Sequence, residues 1–389
     1  MDWDRVKIED QWILYSSQIM ALLAVYTFLK GYEWLFFTFL FGTFITFMQY
    51  FYMIKAGNGL LYINDKKINR MNINDEDDWV LSFHNKGLPI LRANLIIKFN
   101  NRIEPTNIPY TAISSAFEVR IPFKAMYGEE VEIKIPILAK KRGIATIQSL
   151  EIHIPHLFGS GVVILNYSGL FNHRRLIFPI RKFVSMHKKE LSFLMGYQDT
   201  KTSLYFDPTQ PIGVREYQNG DSFQYIHWKA SARSQQLQTK VFTNIHAKSW
   251  MIFLNMEASK PFNPELENLI SYTAYLVDFA IKENIPFSLA INAKTFNKSL
   301  YYYLSEGEGS IHRQQAMEML AYLSVSSFTV PCHLMIKHVS DIHMSPPFVI
   351  HVGELNSFIH SELNSFKSRG STVFTVKPYE EQGVMEQWK

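Results

Sequence analysis

Two long uncharged stretches open the chain and predict a helical hairpin. Residues 12–29 carry no charged side chain, and residues 34–54 carry none either. A helix of about 20 apolar residues is long enough to span the hydrocarbon core of a bilayer. Tyr and Trp residues lie near the ends of both stretches, where amphipathic rings meet the water–lipid interface. The pattern therefore predicts a transmembrane helical hairpin over residues 1–57, with a buried hairpin of a soluble protein as the alternative.

Basic residues around this hairpin predict its orientation. Arg5 and Lys7 precede the first stretch, Lys55 follows the second, and the turn between them holds only Lys30. An excess of Lys and Arg stays on the cytoplasmic side of a membrane. We therefore expect a two-helix protein of the cell membrane with both termini in the cytoplasm.

From residue 58 to residue 185 the apolar residues recur with a period of two. Val119, Ile121 and Phe123 share one face of a strand, and Val131 and Ile133 share a face of the next. Short alternating segments separated by Gly, Pro and Asn are typical of antiparallel sheets. This region is predicted to be a β-sandwich-like domain.

Residues 186–389 end in an alternation of strands and helices. Apolar strands are predicted over residues 250–255, 287–292, 332–339, 348–352 and, as the last strand, 371–376, with an edge strand over 299–304; helices are predicted over residues 263–282, 311–323 and 355–366. Such an alternation predicts a mostly parallel, doubly wound α/β sheet, so the whole chain is expected to be an α+β multidomain protein. Ligands of these sheets bind beyond the carboxyl ends of the strands.

Composition narrows the possible functions. The 389 residues include 39 basic and 35 acidic side chains, and a net charge of +4 does not indicate a nucleic-acid-binding protein. The single cysteine, Cys332, cannot form an internal disulfide and fits a reducing compartment.

A short stretch of mixed charged and aromatic residues carries a family resemblance. It reads REYQNGDSFQYIHWKASARS over residues 215–234. It resembles the signature of a bacterial family, domain of unknown function number fifty-eight, at Arg215, Tyr217, Gly220, Asp221, Ile226, Trp228, Ser231, Ala232 and Arg233. Two positions depart from the signature: Gln224 stands where the family usually has arginine, and His227 where it often has aspartate.

The resemblance implies an architecture and a context. The family combines a two-helix membrane hairpin, a β-sandwich-like segment, the signature and a von Willebrand factor A-like domain, and residues 155–159 (PHLFG) resemble its Asp-Pro-Phe-Gly turn. Its members are found with MoxR-type AAA+ ATPases and transglutaminase-like membrane proteins, and are viewed as scaffolds or adaptors. The resemblance therefore implies a membrane-anchored scaffold whose partners are the bilayer, a MoxR-type ATPase and other membrane proteins, with no catalysis, cofactor or nucleic acid.

Physical considerations give the signature two possible roles. Asp221 could cap a helix over residues 222–234, with Gln224 completing a capping box, and residues 237–242 could add a strand to the α/β sheet. Arg215 or Arg233 could pair with Glu216 or Asp221 beneath Trp228, forming a buried clamp. The alternative role of this set, which also includes Tyr217, Gly220 and Ser231, is a surface that binds a partner or a phosphate.

Two further hypotheses concern metal binding and catalysis. Von Willebrand factor A domains often bind Mg²⁺ through Asp-x-Ser-x-Ser, but the corresponding residues are Asn255, Met256, Glu257, Ala258 and Ser259, and Gly353 follows a later strand where an aspartate could have served. Mg²⁺ is therefore not expected, although a divalent-metal-dependent binding module at this degenerate site is an alternative. A hydrolase built on Asp221 and His227 is another, but the sequence has no nucleophile elbow or phosphate loop.

Overall fold

The chain divides into two units, each of which contains both helices and strands. The computed structural model describes residues 3–8, 11–66, 68–156, 161–186, 206–218, 220–244, 249–257, 263–295, 299–324, 327–342, 346–379 and 382–388. The units are Met1–Pro179 and Ile180–Lys389. The domain limits expected after residues 57 and 185 stay predictions.

The apolar hairpin is confirmed as two helices, α1 (Gln11–Leu29) and α2 (Glu33–Lys55). Among the described residues, α2 is the one helix long and apolar enough to cross a membrane, and the apolar part of α1, Tyr15–Leu29, is shorter. The apolar side chains of α2 face outward, with Trp34 87% exposed and Phe41 64% exposed. A soluble core helix would bury them, so α2 is a candidate membrane span.

The rest of the first unit is built from short strands, as the period of two predicts. They are β1 (Trp3–Ile8), β2 (Leu60–Ile63), β3 (Ile68–Asn72), β4 (Glu76–Asn85), β5 (Ile90–Asn100), β6 (Ile103–Pro105), β7 (Tyr110–Ile113), β8 (Ala116–Ala125), β9 (Glu130–Ala139), β10 (Gly143–Ala145), β11 (Ile147–Pro155), β12 (Val162–Tyr167) and β13 (Arg174–Phe178). The sheets have the orders β1-β12-β11-β5-β8-β7, β2-β4-β9-β6 and β10-β13-β3.

These sheets contribute to one hydrophobic core. Trp79 and Phe83 of β4, Leu95 and Ile97 of β5, and Ile152 of β11 are fully buried members of the same cluster. On β8, Val119 and Phe123 are buried, whereas Arg120 between them is exposed. This confirms the alternation seen in the sequence. Burial of these apolar side chains is the main force that holds the sheets together.

The hairpin is tied to this unit at both ends. Strand β1, which precedes α1, pairs with β12, and α2 runs through a tight connection into β2. The Arg5 guanidinium donates hydrogen bonds to the carbonyl oxygens of Met53 and Ile54, in the last turn of α2. A cation at this position satisfies carbonyls that lack intrahelical partners. Burial lowers the pKa of Arg5.

The second unit contains the signature and the strand–helix alternation. Its strands are β14 (Val184–Met186), β15 (Phe206–Glu216), β16 (Gln238–Asn244), β17 (Trp250–Leu254), β18 (Phe287–Ile291), β19 (Tyr302–Gly307), β20 (Phe348–Val352), β21 (Thr372–Tyr379) and β22 (Gln382–Gln387). Its helices are α3 (Trp228–Ser234), α4 (Leu266–Lys282), α5 (Gly309–Tyr322), α6 (Cys332–Ile342) and α7 (Ser357–Ser368).

The main sheet of this unit is mostly parallel. Its strand order is β14-β22-β21-β20-β17-β18-β19; the pairs β21–β22 and β18–β19 are antiparallel, and the other pairs, including β14–β22 at the edge, are parallel. Met251 and Phe253 of β17 pack with α6 and α7, whereas Trp250 stacks on Phe279 of α4 at 5.8 Å. Since alternate residues of a strand point to opposite faces, helices cover both faces of the sheet.

Two of the expected strands differ from the structure. Residues 332–339 were expected to be a strand, but they form helix α6, because Cys332, Met335, Ile336 and Val339 recur at steps of three and four and are buried together. The strand over residues 371–376 is not the last, since β22 follows it and pairs antiparallel with β21.

Candidate functional site

The signature residues form a small lobe around a two-stranded sheet. Strands β15 and β16 pair antiparallel, with Arg215 opposite Thr239 and Glu216 opposite Gln238. Between them lie a 3₁₀ turn, Phe223–Tyr225, and helix α3. The prediction that residues 237–242 join the α/β sheet is wrong, because among the described residues β16 pairs with β15 instead. We call residues 213–241 the signature lobe.

Helix α3 begins later than predicted and is capped by a different residue. The expected helix over residues 222–234 is interrupted, and α3 starts at Trp228. Nδ1 of His227 accepts a hydrogen bond from the backbone N–H of Ala230 at 3.1 Å, so His227 is the N-cap. Asp221 instead accepts the backbone N–H of Gln218 at 3.0 Å and closes the turn before the 3₁₀ segment. The prediction that Asp221 and Gln224 form a capping box is therefore wrong.

Asp221 is the centre of a polar clamp that joins the two strands. Its Oδ1 lies 2.7 Å from Nη2 of Arg215, and its Oδ2 accepts the Thr239 hydroxyl at 3.1 Å. The hydrogen bond from Arg215 and those from Gln218 and Thr239 lower the pKa of Asp221. The pair was expected to be buried beneath Trp228, but Arg215 is 44% exposed and Asp221 17% exposed. The clamp therefore holds the lobe in shape at its surface.

A glycine and an aromatic pair complete the turn. Gly220 has φ of +111°, which residues with a Cβ rarely adopt. The backbone conformation of the turn therefore favours glycine at this position of the signature. The backbone N–H of Tyr217 donates to the Leu237 carbonyl at 2.9 Å. The ring of Tyr217 lies 5.7 Å from that of Phe223. Together these contacts hold the turn against the end of β16.

The lobe presents exposed aromatic side chains beside basic ones. Trp228 is 67% exposed and Phe223 is 68% exposed. Lys229 and Arg233, on α3, are also exposed. Large exposed aromatic residues close to cations are typical of protein-binding surfaces and costly elsewhere. Trp228 is thus presented to solvent and is not a lid over the ion pair.

The residues of the hydrolase hypothesis have other contacts. Ser231 donates its hydroxyl to the His227 carbonyl at 3.1 Å and accepts the backbone N–H of Gln238 at 2.8 Å. His227 caps α3 and Asp221 pairs with Arg215. Each side chain therefore makes local contacts that join the turn, the helix and β16.

The carboxyl ends of the central strands of the main sheet form a second candidate site. Strand β17 lies between β18 and β20, so the direction of strand succession reverses there. Oδ1 of Asn255 accepts hydrogen bonds from the Asn292 amide at 3.0 Å and from the backbone N–H of Glu257 at 3.0 Å. The Asn255 amide donates to the Glu354 carbonyl at 2.9 Å. Asn292, which the sequence did not single out, also accepts the Met256 N–H at 2.7 Å.

Side chains that were candidates for a metal are held by backbone groups at this point. Oε2 of Glu257 accepts the backbone N–H of Cys332 at 3.0 Å, at the start of α6. Gly353 has φ of +130°, and a Cβ there would lie 2.6 Å from the Asn255 carbonyl oxygen, so no carboxylate side chain fits. Ser259 lies outside the described residues, as does most of PHLFG. No group of three or more His, Cys, Asp or Glu suited to a metal occurs among the residues described.

Comparison with known families matches the lobe and the first part of the main sheet. The family model described as "Protein of unknown function DUF58" matches residues 213–332. The "Uncharacterized protein YeaD" of Bacillus subtilis (strain 168) is 31% identical over 113 residues, which is 29% of this chain and 25% of that protein. The chain therefore matches about a quarter of the length of this curated relative.

Solved structures give weaker likenesses. The structure titled "R. flavefaciens' third ScaB cohesin in complex with a group 1 dockerin" is 10% identical with a TM-score of 0.21, covering 31% of this chain and 96% of that one. The "Non-cellulosomal cohesin from the hyperthermophilic archaeon Archaeoglobus fulgidus" is 12% identical with a TM-score of 0.19, covering 28% and 86%. At such TM-scores these structures carry no argument about fold or function.

Proposed function

We propose that this protein is a membrane-anchored cytoplasmic scaffold that docks a protein partner through its signature lobe. The observation that carries the proposal is the exposure of two aromatic side chains, Trp228 and Phe223, on a lobe whose turn and strands the Arg215–Asp221 clamp joins. Such preorganisation lowers the entropic cost of binding a partner. The two parts of the proposal, the anchor and the docking surface, have separate support.

The anchor is the hairpin of α1 and α2, inserted as two membrane spans. Among the described residues of α1, Tyr15–Leu29 is apolar, and Leu22 is 71% exposed. The backbone groups of a helix are satisfied within it, so a helical pair of this composition is suited to lipid. Basic residues at the outer ends favour both termini in the cytoplasm. The ties of β1 and α2 to the same unit support a hairpin whose two ends lie on one side.

The docking surface consists of exposed side chains of α3 and of the 3₁₀ turn that precedes it. Aromatic and Arg residues are enriched at the positions that contribute most of the binding free energy of protein interfaces. Here Trp228 and Phe223 would supply apolar area, and Lys229 and Arg233 would meet acidic side chains of the partner. The family resemblance points to a MoxR-type AAA+ ATPase as that partner, and to a von Willebrand factor A-like arrangement of the main sheet. The parallel centre of the sheet with helices on both faces supports the latter.

Co-purification tests this function. The full chain is solubilised in mild detergent from its native membrane, and bound proteins are identified and quantified by mass spectrometry. We expect a AAA+ ATPase with the wild type and a loss of at least tenfold with the double variant Phe223→Ala, Trp228→Ala, since interface aromatic residues often contribute about 2 kcal/mol or more each. Phe328→Ala is the matched control, because Phe328 is 82% exposed in the same unit and lies outside the lobe. Equal recovery with all three proteins would contradict the proposed surface.

A further inference from the structure

One end of the first unit carries exposed apolar and basic side chains beside the exit of α2. We propose that this end makes a second contact with the membrane, in which Leu91, Met126 and Tyr127 enter the headgroup region and Lys86, Arg92 and Lys124 meet anionic lipid phosphates. This inference rests on the membrane anchoring proposed above and adds a lipid-binding surface on the strands of the first unit. We call these six residues the membrane-facing end.

The strand register places these residues at the same end as the helix. Leu60, the first residue of β2 after α2, pairs with Asn85 at the end of β4. His84 pairs with Glu130 at the start of β9, and Ala125 at the end of β8 pairs with Ile90 at the start of β5. The loop between β4 and β5 and the turn between β8 and β9 therefore lie where α2 enters the unit.

Direct hydrogen bonds hold the loop of residues 86–89 against α2 and its connection. The Tyr52 hydroxyl, in the last turn of α2, donates to the Pro89 carbonyl at 2.9 Å. The backbone N–H of Lys86 donates to the Gly59 carbonyl at 2.9 Å. A Cβ on Gly87 would lie 1.6 Å from the Asn58 carbonyl oxygen, so the two segments approach as closely as glycine allows.

The turn between β8 and β9 is held to the same point through Asn85, which is fully buried. The Asn85 amide donates to the carbonyls of Leu88 at 3.0 Å and Ala125 at 2.9 Å. Its backbone carbonyl accepts the Gly128 N–H at 2.7 Å, and its own N–H donates to the Glu129 carbonyl at 3.0 Å. One buried amide thus fixes both loops relative to the end of α2.

Helix length places this end at the bilayer interface. The 23 residues of α2 rise by about 34 Å, slightly more than a hydrocarbon core of about 30 Å. The last turn, which contains Tyr52 and Lys55, therefore lies at the headgroup level when α2 spans the bilayer. Because Pro89 contacts Tyr52 directly, its loop lies at that level too.

The side chains at this end suit that environment. Tyr127 is 74% exposed, Leu91 is 54% exposed and Met126 is 53% exposed. Tyr favours the interface because its ring is apolar and its hydroxyl polar. Basic side chains near an anionic membrane surface are attracted to its headgroups.

The charges near the turn leave these cations available. Within the described part of the chain, Lys86, Arg92 and Lys124 are exposed and make no ion pair. Of the two nearby carboxylates, Glu129 accepts the backbone N–H of Met126 at 2.6 Å, and Glu130 lies 3.5 Å from Nδ1 of His84. An anionic lipid headgroup is the occupant that matches three such cations beside an inserted apolar tip.

Depth-dependent fluorescence quenching tests the inference. Tyr127→Cys, Lys141→Cys and Phe41→Cys are made in the full chain, labelled with an environment-sensitive fluorophore and reconstituted into phosphatidylcholine–phosphatidylglycerol vesicles containing lipids with a nitroxide headgroup or acyl chain. Cys332 is fully buried, and the unsubstituted chain serves as the labelling blank. Lys141 is an exposed control beyond the opposite end of β9, and Phe41 is the probe of membrane insertion.

The expected result is strong acyl-chain quenching at position 41, and a loss of emission at position 127 with the headgroup nitroxide that is several times the loss at position 141. Quenching at position 41 with equal signals at 127 and 141 would overturn the inference and leave the anchor intact. Absence of quenching at position 41 would overturn the anchor as well. A signal at position 127 that does not change when phosphatidylglycerol is omitted would overturn the role of the three cations.

Discussion

Nη2 of Arg215 lies 2.7 Å from Oδ1 of Asp221, at the surface of the signature lobe. This pair joins the end of β15 to the turn before the 3₁₀ segment, and Thr239 extends it to β16. The residues of the signature are thus close together because they build one lobe, on which Phe223 and Trp228 are exposed.

Replacing Asp221 should loosen the lobe without unfolding the protein. In Asp221→Ala, Arg215, the Gln218 N–H and the Thr239 hydroxyl lose their acceptor. We expect faster amide hydrogen exchange over residues 213–241, at least tenfold, with no change in the main sheet, because the lobe pairs its strands only with each other among the described residues. Exchange followed by mass spectrometry measures this.

The control for the clamp is Glu216→Ala, since Glu216 is an exposed carboxylate on the same strand. It should leave exchange in the lobe unchanged. If both variants accelerate exchange equally, the clamp has no special role in the shape of the lobe.

A buried histidine should make the second unit sensitive to acid. His351, in β20, is fully buried, and neither ring nitrogen has a hydrogen-bond partner among the described residues. Burial lowers its pKa to about 4. The unfolded chain, with a pKa of about 6.5, binds the proton more readily. The stability that neutral His351 provides is therefore present above pH 6.5 and is lost as the pH falls toward 4.

The expected loss of unfolding free energy over that interval is on the order of 3 kcal/mol. Urea unfolding measures this loss. The unfolding midpoint is determined at several pH values, with pulsed hydrogen exchange of the β20 peptide as the probe. His351→Leu removes this titrating group and should reduce the slope of the dependence between pH 6.5 and 4. The same slope in both proteins would mean that another group is responsible.

Gly353 should tolerate no side chain, which bears on the metal hypothesis. Gly353→Ala combines an unfavourable φ, which costs on the order of 1–3 kcal/mol, with contact against the Asn255 carbonyl. Gly370→Ala is the control, because φ there is +93° but nothing lies within 4 Å of the added Cβ. We expect a larger fall in melting temperature for Gly353→Ala than for the control.

Calorimetric titration of the wild type with Mg²⁺ or Mn²⁺ belongs with that measurement. The account predicts a flat trace, because oxygens of Asn255 and Glu257 accept hydrogen bonds from Asn292 and from backbone N–H groups. Heat of binding that disappears in Asn255→Ala would revive the divalent-metal-dependent module.

The hairpin topology can be tested with single cysteines. Tyr32 lies in the turn between α1 and α2 and is 58% exposed, and Lys141 is exposed in the β unit. If both helices span the membrane with cytoplasmic termini, a membrane-impermeant maleimide should label Tyr32→Cys in intact cells and Lys141→Cys only after permeabilisation. Labelling of position 141 in intact cells would reverse the orientation, and failure at position 32 until permeabilisation would remove the two-span hairpin.

The sequence predicted elements with a long, regular pattern and missed those decided by single contacts. The apolar hairpin, the alternating strands near Val119 and the central strand β17 could be read directly because burial dictates their spacing. Helix α6 was mistaken for a strand, since its short apolar run fits both periods and its start depends on Glu257, 75 residues earlier.

The same distinction holds for the candidate site. Arg215 and Asp221 could be proposed as partners because few oppositely charged residues lie so close in the signature. The capping of α3 by His227 and the hydrogen bond from Thr239 to Asp221 could not be predicted from the sequence. Each depends on where the chain turns and on how β15 and β16 align. The exposure of Trp228 was also missed, since aromatic residues in a compact signature are more often buried.

We propose above that the signature lobe of a membrane-anchored protein binds a AAA+ ATPase. Photo-crosslinking from benzoylphenylalanine at position 228, in native membranes with the full chain, tests it most directly, with position 328 as the exposed control in the same unit. The account predicts an adduct with the ATPase from position 228 and none from position 328. No adduct from position 228, or equal adducts from both positions, would contradict it.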